Sequence, residues 1–273
     1  MQATLLALTL IATGTAAEPT ADSIAAQATA PLTFNVSAGA WMVRLRGDAR
    51  NGGAVDMSLD QQLGMDDLEG TFSGEFRVGR DDWGVLITGS DFKTSGSGLF
   101  EQGGIWGGSA FAAGQNYRSS FDFMSVGVEG QWNPLDLIGK PNTDIPLFLT
   151  LGGHVGVLYS DIRQTLDFGA ARSEEKGEFA SLYGGIQLIL RMDTMNRIPW
   201  LNRIELRAGG SGGTTLGHDG GVMYQARADM RFYFFENVAL LFGYRLLELH
   251  VEKDDWHASP SLQGLFVGAS IEF

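Results

Sequence analysis

The stretch Gln263-Gly-Leu-Phe-Val-Gly-Ala-Ser-Ile-Glu-Phe273 carries an apolar residue at every second position: Leu265, Val267, Ala269, Ile271 and Phe273. Between them sit Phe266, Gly268, Ser270 and Glu272, mostly small or polar. A period of two is that of a strand with one apolar and one polar face. Working back from it, nine further runs alternate in the same way. They lie near residues 33–47, 70–80, 84–93, 118–130, 147–160, 178–192, 202–210, 221–235 and 238–251, and 262–273 completes the set. Each reaches the length of about ten residues that a tilted strand needs to cross a bilayer.

The connections alternate too. Residues 48–69, 94–117, 161–177, 211–220 and 252–261 are rich in Gly, Ser or acids and mostly long. The gaps at 81–83, 193–201 and 236–237 are shorter; residues 131–146, with Pro134, Pro141 and Pro146, are the exception. Short turns at one end and long loops at the other are the pattern of transmembrane barrels, and an even strand number puts both termini at the short-turn end. The expected fold is therefore an all-β, antiparallel, up-and-down transmembrane barrel of about ten strands, with eight or twelve as alternatives.

Composition fits this fold and narrows the function. Gly makes up 38 of 273 residues, roughly twice the usual share. No apolar run approaches the 18 or so residues of a membrane helix. With no Cys, disulfides and thiolate chemistry are excluded. A net charge of −13 argues against nucleic acid as a partner, since backbone binding needs clustered Lys and Arg.

Side-chain parity assigns the faces. In 221–235, Val222, Tyr224, Ala226, Ala228, Met230, Phe232 and Phe234 oppose Gln225, Arg227, Asp229, Arg231 and Tyr233. The apolar face is expected to meet lipid and the charged face the lumen. Collecting inward positions gives Glu75, Arg77, Glu129, Arg191, Arg203, Glu205, Arg207, Arg227, Asp229, Arg231, Arg245 and Glu272. In a narrow barrel these interleaved charges should pair, because an unpaired buried charge costs several kcal/mol. A bulge near Leu246-Leu247 would return Glu248 and His250 to the lumen. Trp83, Trp132 and Trp200 fall at short turns beside Phe273, where an interfacial aromatic girdle belongs. Phe121, Tyr159 and Phe179 are candidates for the opposite girdle.

At the other terminus, Leu5 to Ala12 is an apolar core of signal-peptide length, and Thr15 and Ala17 have cleavage-compatible spacing, although no Lys or Arg precedes them. The expected organisation is a signal peptide at 1–17, a flexible periplasmic lead-in at 18–31 and an outer-membrane barrel at 32–273.

The final strand resembles the closing strand of bacterial outer-membrane β-barrels, whose terminal aromatic is read by the barrel-assembly machinery. Trp41, Val55 to Leu59 and Trp83-Gly84 extend the resemblance to a widespread group of uncharacterised small outer-membrane barrels, OmpA-like or porin-like. In Val55 to Leu68, Leu59, Leu63 and Leu68 would line one side of a short helix. The resemblance implies fold and an outer-membrane location, but no catalytic residue.

Enzymatic alternatives find little support. Outer-membrane omptin proteases are also ten-stranded and use Asp and His–Asp pairs at the extracellular rim. His218-Asp219 lies in such a loop, but Asp66-Asp67 and Asp254-Asp255 lack that family's spacing, and Asp81-Asp82 falls at the wrong end. A lipid-modifying enzyme needs a Ser- or His-centred nucleophile set. No Gly-x-Ser-x-Gly elbow is present, and His154 faces inward by parity as a structural histidine. Acidic loop clusters such as Asp66, Asp67 and Glu69 lack calcium-loop spacing. No catalytic, cofactor or metal site is expected. The expected function is a non-enzymatic outer-membrane barrel with a structural or surface-interaction role and a side-chain-filled lumen. The alternatives are a narrow channel for a small solute and, behind it, a lipid-modifying enzyme. Expected partners are outer-membrane lipids and lipopolysaccharide, and the assembly machinery through 263–273, with the chain a monomer.

Overall fold

The computed structural model describes residues 31–52, 56–140, 145–195, 197–216 and 220–273. The expected signal peptide, the lead-in up to residue 30, Val55 and the His218-Asp219 pair lie outside these residues.

Thirteen strands occur among the described residues: β1 (Thr33–Asn51), β2 (Met57–Ser58), β3 (Leu68–Gly79), β4 (Trp83–Leu99), β5 (Gly104–Trp106), β6 (Ser109–Phe111), β7 (Asn116–Lys140), β8 (Leu147–Phe168), β9 (Ala171–Asp193), β10 (Arg203–Leu216), β11 (Gly221–Tyr233), β12 (Val238–Lys253) and β13 (Trp256–Glu272). The ten long strands pair antiparallel in sequence order, and β13 returns to β1 from Asn35↔Glu272 to Asn51↔Trp256. The sheet therefore closes on itself and has no free edge. The two-residue β2 rides on β1, and β5–β6 form a separate small hairpin.

The seam between β1 and β13 explains some of the Gly content. A methyl group on Gly264 would overlap the Met42 carbonyl oxygen, and one on Gly39 would overlap that of Val267. The strands meet there only because neither residue has a side chain.

All ten wall strands coincide with the alternating runs, but several are longer. A tilted strand crosses a bilayer in about 9–11 residues, whereas β7, β8 and β9 have 25, 22 and 23. Most of the gap expected at 161–177 is strand, closed by a two-residue turn at Gly169-Ala170 in which Gly169 has φ +60°. Asp254-Asp255, the candidate acid pair, is the corresponding turn of β12–β13, with Asp254 at φ +53°. These extensions look like loops in sequence because their outer faces are charged. Asp161, Arg163, Glu174, Lys176 and Glu178 point outward and form ion pairs such as Lys176–Asp161 at 3.4 Å and Lys176–Glu178 at 3.2 Å. The gap expected at 131–146 also shrinks. β7 continues to Lys140 through two register shifts, and Pro134, which has no N–H to donate, sits in the first.

The outer wall carries an apolar belt. Phe72, Val155, Ile186 and Leu265 are 68%, 67%, 67% and 62% exposed. Trp83, Trp132, Trp200 and Phe273 are also exposed, all at the short-turn end. Trp83 and Trp132 face each other across β4–β7, and Trp200 stacks on Phe234 at 6.0 Å. Tyr159 points outward, but Phe121 and Phe179 do not belong with it: both are buried inside the barrel.

Candidate functional site: a two-layered lumen

On several wall strands the inward residues divide along the length. Toward the short-turn end they are charged or polar; toward the long-loop end they are apolar. On β7 the inward series runs Gln131, Glu129, Gly127, Ser125, Phe123, Phe121. On β12 it runs Arg245, Leu247, Leu249, Val251.

The polar layer gathers the predicted charges. All twelve project from inward positions, and most are joined in pairs. Glu75 forms ion pairs with Arg245 at 2.8 Å and Arg231 at 3.7 Å. Glu129 receives Arg227 at 3.6 Å and lies 3.9 Å from His154 Nε2. Glu205 pairs with Arg207. Near the short-turn rim Arg203 meets Glu272 at 3.1 Å and stacks over Tyr233, 3.7 Å from the ring centre. Arg191 lies over Phe148 and 3.9 Å from Asp193. Arg77 donates to Gln131 at 3.2 Å and to the Arg80 carbonyl at 2.8 Å. Asp229 is buried with one carboxylate oxygen lacking a hydrogen bond.

Neutral groups complete this layer, and sequence reasoning missed most of them. Gln131 donates to Glu129 at 2.8 Å, the Tyr183 hydroxyl to the same carboxylate at 3.3 Å, and Gln187 to Asn133 at 2.8 Å. Gln131 and Asn133 both fall in the connection expected at 131–146. The available signal was parity: continuing the alternation of 118–130 by three residues puts both Gln131 and Asn133 inside.

The expected bulge near Leu246 is absent. β12 pairs with β11 without a shift, so Leu247, Leu249 and Val251 face inward while Glu248 and His250 face outward, 2.9 Å apart. The cause is the second layer: at this height the interior is apolar, and the charged residues gain water on the outside.

Two chain segments build that second layer. After β2, residues 59–63 form a tight turn rather than a helix, with Leu63 N–H donating to the Ser58 carbonyl at 3.0 Å. Leu59, Leu63 and Met65 have no exposed surface, whereas Leu68 opens β3 and is 53% exposed. Ser119 of β7 donates to the Leu63 carbonyl. The β5–β6 hairpin, inserted between β4 and β7, buries Trp106. Phe111 stacks on Phe100 with ring centres 4.0 Å apart. These residues pack with Leu45, Phe92, Phe121, Phe123, Ile162, Leu166, Phe179 and Trp256 into one apolar cluster. Gross burial of Leu59, Leu63 and Met65 is worth roughly 1.5–3 kcal/mol each, offset by the entropy of ordering the loop.

Between the layers lies a cavity of about 100 Å³, bordered by Ser125, Glu129, His154, Tyr183, Ser211 and Arg227. It can hold a few waters. His154 Nδ1 and Ser211 Oγ lack protein partners, which suits water. His154 Nε2 faces the Glu129 carboxylate here, and no cluster of metal-binding side chains occurs among the described residues.

No protein-family model matches the chain, and no curated protein sequence does. Similar solved structures include the outer membrane protease OmpT from Escherichia coli, with 8% identity, TM-score 0.44, and 89% of this chain and 96% of that one covered. Ail, the attachment invasion locus protein of Yersinia pestis, gives 14%, 0.30, and 88% and 98%. Neisserial surface protein A gives 12%, 0.34, and 88% and 97%. At these identities and TM-scores the likenesses assign no role to any residue of this chain.

Proposed function

We propose that this chain is an integral outer-membrane β-barrel that conducts no solute and catalyses no reaction, and that it serves as a rigid scaffold presenting an extended surface above the membrane. The observation that carries the proposal is the filled lumen: an ion-paired layer at one end and an apolar plug with fully buried Leu59, Leu63 and Met65 at the other. The apolar belt supports membrane insertion, with Trp83, Trp132, Trp200 and Phe273 as the periplasmic girdle. The short turns are then periplasmic, and the charged upper parts of β7, β8 and β9 stand outside the cell as the interaction surface. Signal-peptide export, insertion by the assembly machinery and a monomeric state complete the proposal.

Single-channel recording in a planar bilayer tests it. The native chain is expected to give no steps, whereas a Leu59→Ser, Leu63→Ser, Met65→Ser variant is expected to give intermittent small ones. Regular conductance from the native chain would refute the closed lumen and favour the channel.

A further inference from the structure

The outer wall changes charge at one place. On β4, β7, β8, β9 and β12, the first charged outward residue above the apolar belt is an acid: Asp91, Asp122, Asp161, Glu178 and Glu248 respectively. On β1 it is Arg44, followed on the same face by Arg46. Both arginines are exposed, and neither has an ion-pair or hydrogen-bonding partner among the described residues. The outward Lys176, Arg163 and Arg172 of the upper wall, by contrast, are all paired. Asp48, the nearest acid along the β1 face, lies beyond Arg46, away from the belt.

Arg44 stands directly above Met42. The flanking positions in register are Leu68 on β3 and Gln263 on β13, with Leu265 opposite Met42. These residues and Tyr244 border an open surface groove of about 270 Å³. Leu68, Leu265 and Tyr244 are 53%, 62% and 45% exposed. The groove is apolar at its lower end and doubly cationic at its upper end. A guanidinium at such a height places its stem along apolar surface and its head at the polar boundary. Its planar fork matches phosphate oxygens in a bidentate manner.

We infer that Arg44 and Arg46 form a site for the phosphorylated headgroup of an outer-leaflet lipid, with an acyl chain running down past Met42 and Leu265. This rests on the proposed membrane location. The phosphate supplies the partner that both arginines lack, and a single lipid uses both ends of the groove. On a chain of net charge −13, β1 is the wall strand whose outward face presents two arginines above the belt before any carboxylate of its own.

The test uses the full chain in detergent micelles titrated with bis-phosphorylated lipid A or its dephosphorylated form, with bound lipid counted by native mass spectrometry. Arg44→Gln/Arg46→Gln is expected to weaken binding of the phosphorylated lipid at least tenfold, Arg44→Lys/Arg46→Lys less, and Arg172→Gln not at all. Equal binding by the Gln variant, equal binding of the dephosphorylated lipid, or displacement of lipid by millimolar inorganic phosphate would each overturn the proposal. Flotation with lipid vesicles separates the two claims. A native chain that fails to float refutes the membrane location itself, while one that floats but binds lipid A independently of the arginines refutes only this site. Because both side chains are exposed, the variants are expected to keep the heat-modifiable gel migration of the native barrel.

Discussion

Replacing Glu75 by Gln should be among the most damaging single changes in the barrel, although it alters neither size nor shape. Glu75 is buried, with Arg245 at 2.8 Å and Arg231 at 3.7 Å. At an effective dielectric constant of about 20, unit charges at these separations attract by about 6 and about 4.5 kcal/mol. Desolvation of all three groups consumes much of that gain. Glu75→Gln removes the attraction but leaves two guanidinium groups in the interior. Arg231 is only 4% exposed at its side chain and has no other ion pair among the described residues, while Arg245 keeps Ser73 at 3.0 Å and the Phe266 ring at 3.8 Å. The expected loss is about 3–5 kcal/mol, the range for breaking a buried pair from one side. Glu75→Gln combined with Arg245→Gln should recover more than 1 kcal/mol of it, because removing both partners leaves less uncompensated charge. Urea unfolding in micelles, followed by Trp fluorescence and by migration of unboiled samples on a denaturing gel, measures both. A single-variant loss below 1 kcal/mol, or strict additivity in the double variant, would refute the view of this layer as a coupled ion network.

Other substitutions probe the remaining layers. Leu63→Ala should cost about 2–5 kcal/mol in the same unfolding experiment, since a fully buried Leu leaves a cavity; a cost near zero would mean the plug is not packed. Gly264→Val should prevent closure of the β1–β13 seam, where even a methyl overlaps the Met42 carbonyl, and so abolish the fast-migrating folded band in unboiled samples. Glu248→Gln should change stability by no more than about 0.5 kcal/mol, as expected for an outward, water-facing group; a loss comparable to that of Glu75→Gln would place Glu248 in the lumen after all.

Much of this molecule is written in its period of two. Alternation alone locates all ten wall strands, distinguishes the two faces and puts the twelve charged residues of the lower lumen on the inward side. Each of these is a local property of an extended chain, in which successive side chains point in opposite directions whatever the strand packs against. Strand length was less legible. Above the belt, β7, β8 and β9 keep their period but exchange an apolar outer face for a charged one, and the segments then resemble loops.

The sequence by itself determined the barrel, its parity and the lower charge layer. Only the tertiary structure decided what fills the upper half. Phe121, Phe179, Leu247 and Leu249 are apolar residues on the inward face, and parity alone cannot say whether such a face meets water, lipid or protein. Leu59, Leu63, Met65 and Trp106 answer that question from segments about 15 to 190 positions away in the chain, folding into the barrel and excluding water from it. The meaning of an inward Leu depends on that long-range contact, so no local pattern encodes it.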